Sequence, residues 1–262
     1  MAATAASPAA PAGTAARAGR ALARLASAAA VLCALAELLA GPAYRIGALA
    51  LGPALQTMRW GATIAVGAAV VALLALLLAL RGKAPRATRW HAGLALALAI
   101  AVAAPPLVMY GRLLQLPRIH DISTDTADPP AFDAVLPRRA LARNPVDYSA
   151  ATAAQQRSGY PDLEPLLLPL APAAAFERAL QAARAMGWEI VAASAEALRL
   201  EATDTTLLFG FEDDVVVRIR PHPQGSVVDV RSLSRIGGSD FGTNATRVRA
   251  YLKRLADRAA TP

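Results

Sequence analysis

The stretch "DVVVRIRPHPQGSVVDVRS", residues 214–232, decides the fold of the C-terminal half. Val215, Val217 and Ile219 alternate with Arg218 and Arg220, a period of two that places apolar and charged side chains on opposite faces of a strand. After a turn at Pro221–Gly225 the alternation resumes, with Val228 and Val230 set against Asp229 and Arg231. The two runs predict an antiparallel hairpin. If Arg220 pairs with Val227, Arg218 falls opposite Asp229, a cross-strand ion pair.

Outward from the hairpin, "RSLSRIGGSDFGTN" (231–244) leads into a helix whose Val248, Tyr251, Leu252 and Leu255 share one face. In the other direction "PAAAFERALQAARAMGW" (172–188) predicts a helix, with Pro172 in its first turn, Gly187 at its end and Phe176, Leu180 and Ala183 inward. Strands are predicted at "WEIVAAS" (188–194), "ALRLEAT" (197–203) and "TTLLFGF" (205–211). The sum is α+β: a meander of four or five antiparallel strands packed with two helices, with its core in residues 172–262. Residues 112–171 carry eight prolines and little periodicity. They predict an extended belt or linker, anchored by Ile119, Ile122 and Phe132.

The N-terminal half is of another kind. The chain is 55% hydrophobic but only 5% aromatic, a balance that points to membrane spans. Residues 61–80 and 92–111 are uncharged runs, each long enough to cross a bilayer core of about 30 Å. A third run, residues 25–40, is interrupted by Glu37. Residues 21–111 therefore predict a domain of three transmembrane helices, behind a disordered cytoplasmic tail (1–20). Glu37 reads as an interfacial residue whose charge reaches water. Residues 17–43 as a cleaved signal peptide is the alternative.

The net charge of +8 arises before residue 112, where nine basic residues face the single acid Glu37. Beyond it eighteen basic and eighteen acidic residues cancel, so the soluble part has no field to steer a polyanion, and nucleic-acid binding is disfavoured. The tightest basic cluster, Arg81 to Arg89, lies in the shortest loop. It places that loop and the N-terminus in the cytoplasm and the C-terminal domain on the outer side of the membrane. Cys33, the only cysteine, lies within an apolar run and allows no internal disulfide.

Five stretches, "IHDISTDTADPP" (119–130), "GYPDLEPL" (159–166), "MGWEIV" (186–191), "GFEDDVVVRI" (210–219) and "VRSLSRIGGSDFGTNATRVRAYLKRL" (230–255), together resemble the bacterial family called domain of unknown function 1499. The resemblance covers roughly residues 117–256. It implies that residues 119–130 belong to the domain as a belt. Three preceding spans are a common arrangement in that family, and it brings no activity or cofactor to carry over.

For ligand binding the candidates are Arg231, Arg235, Asp240, Asn244 and Arg247: a glycine-bearing turn at a helix N-terminus, flanked by guanidinium groups, can receive phosphate or carboxylate. The alternative is an internal polar network in which Asp240 accepts the arginines. His120 and Asp121 are the weaker candidates, as general acid or base of an envelope hydrolase acting on an anionic substrate. Asp121, Ser123 and Asp125 match three positions of a calcium loop, but Thr126 and Phe132 break the pattern, so no metal is expected. Asp213 and Asp214 are adjacent on a strand, point to opposite faces, and predict pairing to arginines. Ser232 or Ser234, His222 and Asp229 do not form a recognisable nucleophile site. The expected partners are membrane lipid and an anionic small molecule or envelope protein, without a cofactor, for a chain that binds rather than catalyses.

Overall fold

A computed structural model describes residues 14–259, and the chain divides into two compact units, residues 1–110 and 111–262. The first holds helices α1 (Thr14–Arg45), α2 (Leu51–Arg81) and all but the last turn of α3 (Arg86–Gln115). All three are long and apolar enough to cross a membrane. Helix α1 begins inside the stretch expected to be a disordered tail, of which residues 1–13 lie outside the described residues.

The packing inverts that of a water-soluble bundle. Ala23, Ala26, Ala30 and Cys33 on α1 meet Ala75, Ala72, Ala68 and Ala65 on α2, with Ala92, Ala95, Ala99 and Val102 of α3 completing the layers. Leu25, Leu32, Leu73 and Leu94 face outward. Small side chains inside let backbones approach closely, which is how helices associate where the solvent itself is apolar. Glu37 occupies the next position of this seam and is 8% exposed, so it packs inward instead of reaching out as an interfacial residue. Gly61 makes that possible, since a Cβ there would lie 2.6 Å from the Glu37 carboxyl oxygen.

The second unit holds a six-stranded antiparallel sheet. Its strands are β1 (Asp121–Ser123), β2 (Leu166–Leu168), β3 (Glu189–Ser194), β4 (Arg199–Thr205), β5 (Glu212–His222) and β6 (Gly225–Ser234). The order is β1-β6-β5-β4-β3, with β2 also paired to β6. Strands β5 and β6 form the expected hairpin in the expected register, Arg218 opposite Asp229 and Arg220 opposite Val227. Val215, Val217, Ile219, Val228 and Val230 face helices α5 (Pro172–Ala185) and α6 (Thr243–Ala259). There they meet Phe176, Leu180, Val248, Tyr251 and Leu255. Trp188 stacks on Tyr251 with ring centroids 4.8 Å apart.

The stretch "TTLLFGF" is a turn, not a strand. Its Thr206 hydroxyl accepts from the Phe211 N–H at 2.8 Å, and Gly210 takes a positive φ of 67°, so the chain reverses before any alternation is established. The proline-rich residues 112–171 are more ordered than their sequence announces. They contain β1, a 3-10 turn at Leu136–Arg139, helix α4 (Ala150–Gly159) and β2. Phe132 and Val135 lie on Val216 and Leu233, the face of the sheet that the helices leave uncovered.

Candidate functional site: guanidinium networks on the two faces of the sheet

The alternation of β6 sorts the candidate residues. Arg231 and Leu233 point to the belt face, Ser232 and Ser234 to the helix face. On the belt face Arg231 donates from Nε and Nη2 to Asp121 at 3.0 and 2.7 Å. It also donates to the carbonyls of Pro130 and Val146. Its guanidinium lies between the rings of Phe132 and Tyr148, at 5.0 and 5.4 Å. Burial pushes the Asp121 carboxyl above its ordinary range, against the opposing pull of Arg231.

Arg235 grips Asp214 with two hydrogen bonds, 2.9 and 2.8 Å, and also contacts Glu212 and the Thr203 hydroxyl. Asp214 is fully buried and takes a second guanidinium, Arg139, at 2.6 Å. The hydrogen bonds to Asp214 hold the Arg235 guanidinium charged more firmly than usual, although burial works against it. Glu201 completes this face by accepting the backbone N–H groups of Asp133 and Val135 together with Arg199. Buried charges of this kind are tolerable only when paired and hydrogen-bonded, and here each is.

On the helix face Asp240 accepts the N–H groups of Gly242 and Asn244 at 2.9 and 2.7 Å, so it caps α6 instead of receiving the arginines. Burial raises its carboxyl pKa and these two donors oppose the rise. Asn244 uses its whole amide: Oδ1 accepts from Ser232 and Arg247, while Nδ2 donates to the His120 carbonyl and the Ser234 hydroxyl. Arg247 reaches Asp204 at 2.7 Å and Asp213 at 2.6 Å. Burial would weaken its charge, and those carboxylates outweigh it.

The five candidate residues therefore do not converge on one space. Asp240, Asn244 and Arg247 gather at the N-terminus of α6, while Arg231 and Arg235 serve the opposite face. Asp213 and Asp214 divide between the same two networks, as their adjacency on a strand requires. His120 and Asp121 also diverge. The His120 backbone carbonyl joins the helix-face network, and its Nδ1 is buried with no hydrogen-bond partner. Asp125 spends one oxygen on the N–H groups of Ala127 and Asp128 and turns the other to Arg218 and Arg220. Among the described residues no three acidic, histidine or cysteine side chains are placed to share a metal ion. Asp229 pairs with Arg218 and Arg220 on the belt face, His222 lies in the exposed hairpin turn and Ser232 is on the helix face, so no triad assembles.

Several participants have no sequence signal pointing to them. Arg139 and Glu201 carry the belt-face network and Asp204 the helix-face one. Gln156 of α4 clamps Ser123, accepting from its N–H at 2.9 Å and donating to its carbonyl at 2.6 Å. In this way a side chain replaces the neighbouring strand that β1 lacks.

The class defined is a chain with three apolar helices preceding an α+β domain whose sheet carries a closed polar network on each face. A model of the family DUF1499, described as a protein of unknown function, matches residues 121–255, just over half of the chain. The chain belongs to that family. The matched segment runs from the first residue of β1 to the last core leucine of α6. No match was found among curated proteins or among solved structures.

Proposed function

We propose that this chain is a bacterial inner-membrane protein with a cytoplasmic N-terminus and a periplasmic α+β domain, and that the domain binds without catalysing. The orientation rests on the Arg81–Arg89 cluster, which spans the end of α2, the short connection and the first turn of α3. The observation that carries the non-catalytic reading is the pairing of Arg231 with Asp121, Arg235 with Asp214 and Arg247 with Asp213. Guanidiniums already neutralised by carboxylates of the same fold are poor receptors for a further anion, so binding of a lipid headgroup, an anionic small molecule or an envelope protein belongs to the domain surface. Thermal unfolding of the full chain in detergent, with and without phosphate, tests this. Phosphate should not stabilise through Arg235. A rise in Tm that Arg235→Lys abolishes would contradict the closed network.

The unpartnered Nδ1 of His120 favours one second reading, a hydrolase of anionic envelope substrates with His120 as base. It requires turnover that His120→Gln removes and Asp125→Asn leaves intact.

A further inference from the structure

We propose that a groove between α1 and α2 receives a phospholipid whose headgroup carries a primary ammonium, and that Glu37 recognises that ammonium. The site lies in the helical unit and is separate from any binding by the α+β domain. It rests on the reading of the three helices as membrane spans.

Glu37 is the single acid before Asp121. It is 8% exposed, and its Oε1 is buried with no hydrogen-bond partner among the described residues. No cationic side chain among them stands close enough to neutralise it. A carboxylate among apolar atoms without a partner is costly, so the position calls for a positively charged donor. The carboxyl is held against Gly61, where a Cβ would lie 2.6 Å from Oε1 and 2.9 Å from Cγ. Beside that contact the two helices part. Gly61 and Cys33, one turn before Glu37 on α1, line a groove of about 900 Å³, within the range of small-molecule sites. The small residues Ala29, Ala36, Gly52 and Pro53 leave the room for it.

Depth selects a headgroup as the source of the charge. The 32 residues of α1 measure about 48 Å against a hydrocarbon core of about 30 Å, so a centred α1 sets Glu37 about 3 Å inside the core boundary. Trp60, next to Gly61 and 55% exposed, is the kind of aromatic that sits at this level. Gln56 and Thr57 line the groove on the side toward the start of α2, about one turn from Gly61. The Thr57 hydroxyl donates to the Pro53 carbonyl at 3.0 Å. The Gln56 carboxamide is exposed and can donate to a phosphate oxygen. A primary ammonium brings Glu37 both charge and N–H donors, whereas a quaternary one brings charge without a donor.

The test compares the full chain with its Glu37→Gln and Ala36→Leu variants. Each is held in detergent micelles with equal amounts of phosphatidylethanolamine, phosphatidylcholine and phosphatidylglycerol of the same acyl chains, and retained lipid is read by native mass spectrometry. The unaltered chain should retain phosphatidylethanolamine over phosphatidylcholine by about tenfold, the discrimination of one charge-assisted hydrogen bond. Glu37→Gln should abolish the preference. Ala36→Leu, which narrows the groove and leaves the carboxyl in place, should lower it, so a fold lost in one variant leaves the other to decide. Equal retention of phosphatidylethanolamine and phosphatidylcholine by the unaltered chain, or an undiminished preference in either folded variant, overturns the inference. Preferred retention of phosphatidylglycerol would show that the phosphate is read instead of the ammonium and overturns it as well. All of these leave the membrane reading standing. Release of the chain from membranes by alkaline carbonate would overturn both.

Discussion

Arg247 and Arg249 are two positions apart on α6 and differ in everything that matters energetically. Arg247 is buried between Asp204 and Asp213, whereas Arg249 holds Asp162 where the two side chains are 42% and 55% exposed. Removing one partner of a buried pair strands the other, at a cost of about 3–5 kcal/mol. An exposed pair contributes below about 1 kcal/mol. Urea unfolding of the full chain in detergent, followed by fluorescence, should therefore show Arg247→Met strongly destabilised and Arg249→Met nearly unchanged. Equal effects would contradict the assignment.

A second residue-scale prediction concerns Tyr148, Tyr160 and Tyr251. Their hydroxyls are all held above the ordinary 10.0, with burial the leading cause. A raised pKa means that the folded state keeps protons which the unfolded chain releases. The contribution to stability is complete below pH 10 and is lost as pH rises beyond it. In a Tyr44→Phe, Tyr110→Phe background, tyrosinate absorbance should appear only together with unfolding above about pH 10. Smooth titration of the folded protein would refute it.

Among the elements, β1 depends most on side chains. Gln156→Leu leaves the N–H and carbonyl of the buried Ser123 without partners, each costing about 1–3 kcal/mol. Hydrogen exchange at Ser123 should accelerate while β5 stays protected; unchanged exchange would show that β1 is held by its pairing to β6 alone. Gly225, at φ 132°, closes the β5–β6 turn where a Cβ would overlap the Leu168 carbonyl. Gly225→Ala should release β2 before it disturbs β4. Exchange that rises in β4 first would contradict this.

These elements also mark how far the sequence could be read. The β5–β6 register followed from residues 215–231 because alternation and opposite charges agree there, and the inward faces of α5 and α6 followed from helical spacing. The parity of β6 even held the information that Arg231 shares a face with Asp229. The belt over that face was expected, but its strands β1 and β2 were illegible, since each is three residues long and is held by β6, with β1 relying also on Gln156 and on the Arg231–Asp121 pair. The candidate site was legible as a set of residues but not as two sets, because the faces on which Asp121, Asp204 and Asp214 meet their arginines are tertiary facts.

At the scale of the molecule, alanine and glycine inside and leucine outside argue for helices built to stand in lipid, as the seam from Ala23 to Glu37 illustrates. The arrangement places every unbalanced positive charge beside those helices and leaves the folded domain electrically neutral. The most direct measurement is thiol labelling in intact spheroplasts, in a Cys33→Ala background, with a membrane-impermeant maleimide. Gln224→Cys in the β5–β6 turn should label at once, and Ala87→Cys in the first turn of α3 only after permeabilisation. The reverse pattern, with position 87 labelled and position 224 protected, would contradict the account.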